Sequence, residues 1–250
     1  MRRSARRVMI LALLGGLALA PAVAGRPEPA ADESGTLSVF FLGEKVGYED
    51  YAWTGDASGY VLRASGRLTK PLALEMRSLT LRLSRDFIPL EYSFEGSLNG
   101  VAQNVTSVIR DGHVQNTIVV GGQNISADVE IRRDALILPN PVFSPYLVLA
   151  KKYDCGLKDK AEISAYMIPQ VEIAGTLEAS PADACALTLN LSGVEIVLQT
   201  DADRRLVSVT DADRRLVSVT IPSQNLKVTN DRSDHRPSTM AGADHPARRS

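Results

Sequence analysis

The chain has 250 residues, 44% of them hydrophobic and 23% charged, with a formal net charge of −1. That length suits one well-buried domain, and so even a charge balance offers no electrostatic basis for binding nucleic acid. Two cysteines and three histidines leave little material for a metal site.

The N-terminus reads as a secretory signal. Arg2, Arg3, Arg6 and Arg7 precede an uncharged run from Val8 to Ala20, and Ala22-Val23-Ala24 supplies the small residues of a cleavage site before Gly25. An uncleaved anchor helix competes with this reading, but the run is short of the roughly 20 residues a span needs and Pro21 follows it. No cysteine follows the cleavage site, so a lipoprotein is excluded. Arg6-Arg7 hints at twin-arginine export, yet Ala5 stands where that signal carries a serine, and the general route is expected. Residues 1–24 are assigned to the signal and 25–33 to a linker. Losing the signal removes four arginines and takes the formal charge from −1 to −5.

Residues 34–229 form the expected single domain, dominated by period-two alternation. In the run Ser78 to Ser84, Leu79, Leu81 and Leu83 share one face. Ile125 to Ile131, Val171 to Leu177 and Leu187 to Leu191 alternate in the same way. Asn99-Gly100, Asp111-Gly112 and Gly121-Gly122 are two-residue hairpin signals, so consecutive strands are expected to pair as a meander. One segment departs from the alternation. Ser144 as N-cap, Pro145 at the first helical position and Lys151-Lys152 at the negative end of the dipole predict a helix from Pro145 to Tyr153. The helix is apolar on most sides and is expected to be buried against the sheet. The fold class is therefore mainly β: a curved antiparallel sheet, half-barrel or barrel, with one short helix packed against it. An outer-membrane barrel would need aromatic girdles, and only 5% of the chain is aromatic.

Cys155 and Cys185, in a chain expected to reach an oxidising compartment, are expected to form a disulfide. The decapeptide Thr200 to Val209 recurs unchanged as Thr210 to Val219, a tandem duplication rather than a solenoid. One copy is expected in the sheet and the other outside it. Residues 230–250, rich in Asp, Arg, Pro, Ser and His, are expected to be a disordered tail.

No residue pattern points to catalysis. His113, the single histidine of the expected domain, follows a turn and reads as an exposed hairpin residue. Glu44, Glu49, Asp50, Glu91, Glu95 and Glu130 read as solvated charge, and no phosphate-binding glycine loop is present. The amides Gln103, Asn104, Gln115, Asn116, Gln123 and Asn124 read as a polar solvent face. The aromatics Phe40, Phe41, Tyr48, Tyr51 and Trp53 concentrate in one hairpin, either as core or as a ligand-facing wall. Metal, cofactor and catalytic residues are each expected to be none.

Three phrases, Gly43 to Glu49, Leu138 to Phe143 and Leu216 to Gln224, together resemble exported bacterial proteins of unknown function. The resemblance implies a fold similar to lipoprotein-carrier-like half-barrels, a curved sheet around a helix. Two functions follow as expectations. The first is a non-catalytic periplasmic or secreted carrier of a lipid or other apolar ligand, held by Phe41, Tyr48, Tyr51, Trp53, Phe143, Tyr146 and Leu149. The second is an assembly factor binding another envelope protein. No transmembrane segment is expected in the mature chain.

Overall fold

The computed structural model describes residues 32–153, 157–169, 171–181, 183, 185–202 and 214–231. Eight strands open the chain: β1 (Glu33–Phe41), β2 (Glu44–Asp56), β3 (Gly59–Leu68), β4 (Leu74–Leu83), β5 (Pro89–Leu98), β6 (Val101–Arg110), β7 (His113–Val120) and β8 (Gln123–Glu130). The short β9 (Leu136–Ile137) leads to helix α1 (Tyr146–Lys152). Then come β10 (Ala161–Met167), β11 (Val171–Ala179), β12 (Ala186–Leu191), β13 (Val194–Ala202), β14 (Arg214–Ile221) and β15 (Leu226–Asp231). β1 takes in Glu33, the last residue assigned to the linker, and β15 runs two residues past 229.

The fifteen strands of the described residues form one sheet, in the order β8 to β1, then β15 down to β9. It is two meanders, β1–β8 and β10–β15, joined where β1 pairs antiparallel with β15, with Val39 opposite Val228. The short β9 adds to β10 in parallel, the one departure from the expected antiparallel pairing among the described residues. Successive hairpins explain the meanders. Asn99-Gly100, Asp111-Gly112 and Gly121-Gly122 all hold positive φ at both positions, as do Leu42-Gly43 and Ser192-Gly193, which the dipeptide signals did not mark.

The sheet is not closed, but it curls far enough to bring its edges near each other. Five residues, 131–135, carry the chain from β8 at one edge to β9 at the other, a reach of at most about 20 Å. Bulges in the pairing of β1 with β2, β3 with β4, and β4 with β5 supply the curvature. Close strand approach adds to it: a Cβ on Gly47 would stand 2.0 Å from the Arg67 carbonyl oxygen, and one on Gly96 would stand 2.1 Å from that of Glu75. Across the open seam, Asn116 Nδ2 of β7 donates to Tyr166 Oη of β10 at 3.0 Å, while Asn116 Oδ1 accepts from Ser107 Oγ of the neighbouring β6 at 2.7 Å. The bond between β7 and β10 thereby ties two parts of the sheet that share no backbone pairing. Asn116 is buried, so it leaves the expected polar face, while its neighbour Gln115 stays exposed.

The helix fills the enclosed space. Tyr146, Leu147, Val148, Leu149 and Ala150 are all buried, which an apolar helix of this kind requires. Leu79, Leu81 and Leu83 of β4 and Leu187, Leu189 and Leu191 of β12 belong to the same core. Ile125 does not: β8 is exposed at six of its eight residues, because an edge strand has no neighbour to cover it. Among the described residues no helix is long and apolar enough to cross a membrane.

Several expectations fall on residues that are not described: the signal of residues 1–24, the linker up to residue 31 and the tail beyond Asp231 lie outside the described residues. Cys155 lies outside the described residues, so the Cys155–Cys185 pairing carries over as a proposal. Of the duplicated decapeptide, the first three residues lie in β13 and Arg214 to Val219 lie in β14. Residues 203–213 lie outside the described residues.

Candidate functional site

At one end of the sheet lie the turns β1–β2, β3–β4, β5–β6, β7–β8, β12–β13 and β14–β15, together with the segment 138–145 that enters α1. Here the segment is pinned from beneath by Glu49. Its carboxylate accepts the Phe143 N–H at 2.8 Å through Oε1 and the Ser144 N–H at 2.7 Å through Oε2. These donors stand at the start of a helix, where backbone N–H groups lack partners within the helix. Ser144 was expected to cap the helix through its own side chain. Instead no side-chain cap forms, and a carboxylate from a strand 94 residues earlier satisfies the backbone.

Glu49 is also the correction to the solvated-charge reading, since it is 1% exposed. A bulge in the β1–β2 pairing and the inward phase of Tyr51 and Trp53 place it on the concave face. Burial pushes its pKa up from 4.5 to about 7, because removing a carboxylate from water disfavours the charged form. The two N–H bonds, and to a smaller extent the Ser144 hydroxyl, pull in the opposite direction. That hydroxyl is buried and, among the described residues, makes no hydrogen bond of normal geometry, so its pull on Glu49 is the weaker one. Tyr92 and Tyr146 have raised pKa values, first through burial and second through the charge of Glu49.

Beside the pinned segment opens a cavity of ≈ 300 Å³. Leu138, Val142, Phe143 and Tyr146 form one wall, and Ile173, Leu191 and Ile196 of β11 to β13 face them. Pro71 and Leu72 of the β3–β4 loop border the cavity, and Lys70, Asn140 and Gln224 are its polar members. This composition, apolar walls with a few polar groups, is that of a small-molecule site.

The seven residues expected to hold a ligand divide three ways. Phe143 and Tyr146 line the cavity, their rings 6.5 Å apart. Phe41 packs half-buried on the core, and Tyr48 points outward and is exposed. Tyr51, Trp53 and Leu149 are core residues away from the cavity. Trp53 stands at the opposite end, 5.4 Å from Tyr60, while Phe87 covers Tyr60 at 4.8 Å. The C-terminal end of α1 is anchored there. Lys151 Nζ meets Glu33 Oε2 at 2.6 Å and stands 5.3 Å from the Trp53 ring. Tyr51 Oη donates to Glu33 at 3.1 Å and accepts from Asn230 Nδ2 at 2.8 Å. Helix and aromatic hairpin thus touch directly, and of their residues Tyr146 of α1 and Val39 of β1 line the cavity. Sequence reasoning missed its β11–β13 wall, for which alternation marked a buried face but not what that face would meet.

Comparison with family models, with curated proteins and with solved structures finds no match to this chain. His113, exposed beside Glu130 with 3.7 Å between Nδ1 and Oε1, stands at the opposite end from the cavity.

Proposed function

We propose that this chain is an exported, non-catalytic binding or carrier protein for an apolar or amphipathic ligand. The observation that carries this reading is the ≈ 300 Å³ apolar cavity between the Glu49-anchored segment and β11–β13. Its volume lies at the lower bound of the about 300–1,000 Å³ usual for such sites. Export rests on the N-terminal sequence, and a mature N-terminus at Gly25 is the expected result of sequencing the purified protein. The kinship with lipoprotein-carrier-like half-barrels rests on the quoted phrases and on the shared plan of a curved sheet around a helix.

The test uses an apolar naphthylamine dye whose emission rises on binding. Ile173→Trp, at a half-buried wall position, should fill the cavity and weaken binding about tenfold or more, with the melting temperature retained. Thr80→Asp, far from the cavity, should bind as the wild type does. Leu149→Asp is not a useful probe, because Leu149 is fully buried in the core and would report folding. A wild-type protein that binds no such dye, or an unchanged affinity in Ile173→Trp, would refute the reading.

A second reading, an assembly factor for another envelope protein, is favoured by β8. An exposed strand at the sheet edge offers backbone groups to an added strand. Native mass spectrometry separates the two, since a co-purifying lipid supports the carrier and a stable protein partner supports the assembly factor.

A further inference from the structure

The two ends of the sheet differ in chemistry. Away from the cavity the turns are charged, with Asp56, Arg85, Asp86, Asp111, Arg133 and Asp134 at or beside them. At the cavity end the turn tips read Leu42-Gly43, Lys70-Pro71-Leu72, Asn99-Gly100, Gly121-Gly122, Ile168-Pro169, Ser192-Gly193 and Pro222 to Asn225. Lys70 is the single charged residue among them. Leu42 at this rim is 68% exposed and Leu72 39%, and Val101, Ile125 and Val171 are exposed close behind other tips. Five of the seven exposed large hydrophobic residues among those described therefore stand at one end, more than scattered exposure on a soluble surface explains.

One sector of this rim is basic just below the tips. Phe40 on the outer face of β1 is paired with Lys45 on β2 and with Lys227 on β15, and Tyr48 is paired with Arg67 on β3. With Lys70 this makes four cations, all exposed, against two acids, Glu44 and Glu75. Glu44 is held by Lys70 at 2.9 Å, and Glu75 stands opposite Arg67. Apolar tips, an aromatic pair behind them and a cationic belt at the same level form the sequence of layers that a bilayer interface presents in reverse: hydrocarbon, interfacial region, anionic headgroup.

We propose that the β15–β1–β2–β3 sector of this rim docks on a lipid surface, with Leu42 and Leu72 entering the interface and Lys45, Arg67, Lys70 and Lys227 facing anionic headgroups. The apolar residues are separate knobs on separate turns, a shape that suits a fluid surface. Leu72 and Lys70 also border the cavity, so docking opens the ligand site toward the membrane.

The test is co-sedimentation of the mature protein with protein-free vesicles of phosphatidylcholine, with and without phosphatidylglycerol. The wild type should sediment with anionic vesicles and be released by high salt, which screens the belt. Leu42→Asp/Leu72→Asp and Lys45→Glu/Lys227→Glu should each lose binding roughly tenfold or more, with unchanged melting temperatures. Leu90→Asp, an exposed leucine away from the rim, should bind as the wild type does. Failure of the wild type to sediment with anionic vesicles, or unchanged binding in the Leu42→Asp/Leu72→Asp variant, overturns the proposal. Dye binding is read without vesicles, so docking and the ligand site fail independently.

Discussion

Replacing Glu49 by glutamine should change the pH dependence of folding in a defined direction. With a folded-state pKa of about 7 against 4.5 in the free side chain, the folded protein holds this proton more tightly than the unfolded chain. Its contribution to stability is therefore complete below about pH 4.5 and is lost as pH rises through 7. A shift of this size corresponds to roughly 3 kcal/mol, of which about 2–3 kcal/mol falls between pH 5 and 8. Glutamine cannot ionise. It keeps one acceptor for the Phe143 or Ser144 N–H but turns an amide N–H₂ toward the other, at a pH-independent cost of about 1–3 kcal/mol. The assay is urea denaturation of both proteins at pH 5, 6, 7 and 8. The wild type should lose its advantage over Glu49→Gln as pH rises, with the gap closing by about 2–3 kcal/mol, while other titrating groups cancel in the difference. Stability curves that stay parallel across this range would refute the reasoning, because Glu49 would then not change its protonation within the fold.

Asn116→Ala should cost about 1–3 kcal/mol, since it strands the Ser107 and Tyr166 hydroxyls at the seam, whereas Gln115→Ala on the exposed face should stay within about 0.5 kcal/mol; both are read from denaturation midpoints. Deleting 203–212 gives the same chain as deleting either copy of the decapeptide; with the outermost Ala202–Arg214 pair opened, three residues join the paired Asp201 and Arg215, a common hairpin length. The melting temperature should hold or rise, the shorter loop contributing about 1 kcal/mol, and a clear loss would show that the duplication is built into the fold. Thiol titration in denaturant without reductant should find no free thiol if Cys155 and Cys185 are bridged, and reduction should then cost about 3–4 kcal/mol in the chain-entropy account.

Local chemistry determined the strands, most of the turns and the existence of one buried helix. Leucines two apart in Ser78–Ser84 and Leu187–Leu191 had to share a face, and Asn-Gly and Asp-Gly pairs had to reverse the chain, whatever the rest of the molecule did. The helix could also be read, because Pro145 and Lys151-Lys152 mark its ends by rules that operate within a few residues. The site depended on contacts between residues far apart in the chain. Glu49 looks like any strand carboxylate until the sheet curls and brings it beneath the N–H groups of Phe143 and Ser144, 94 residues on. Asn116 reads as one amide of a polar run until β7 approaches β10. The aromatic hairpin shows the converse: its composition allowed either core or a ligand wall, and inward phase sent Tyr51 and Trp53 into the core while outward phase left Tyr48 exposed. Alternation tells which residues share a face, while the curvature of the sheet decides what that face encloses, and bulges and close strand approaches set that curvature only when the whole sheet has formed.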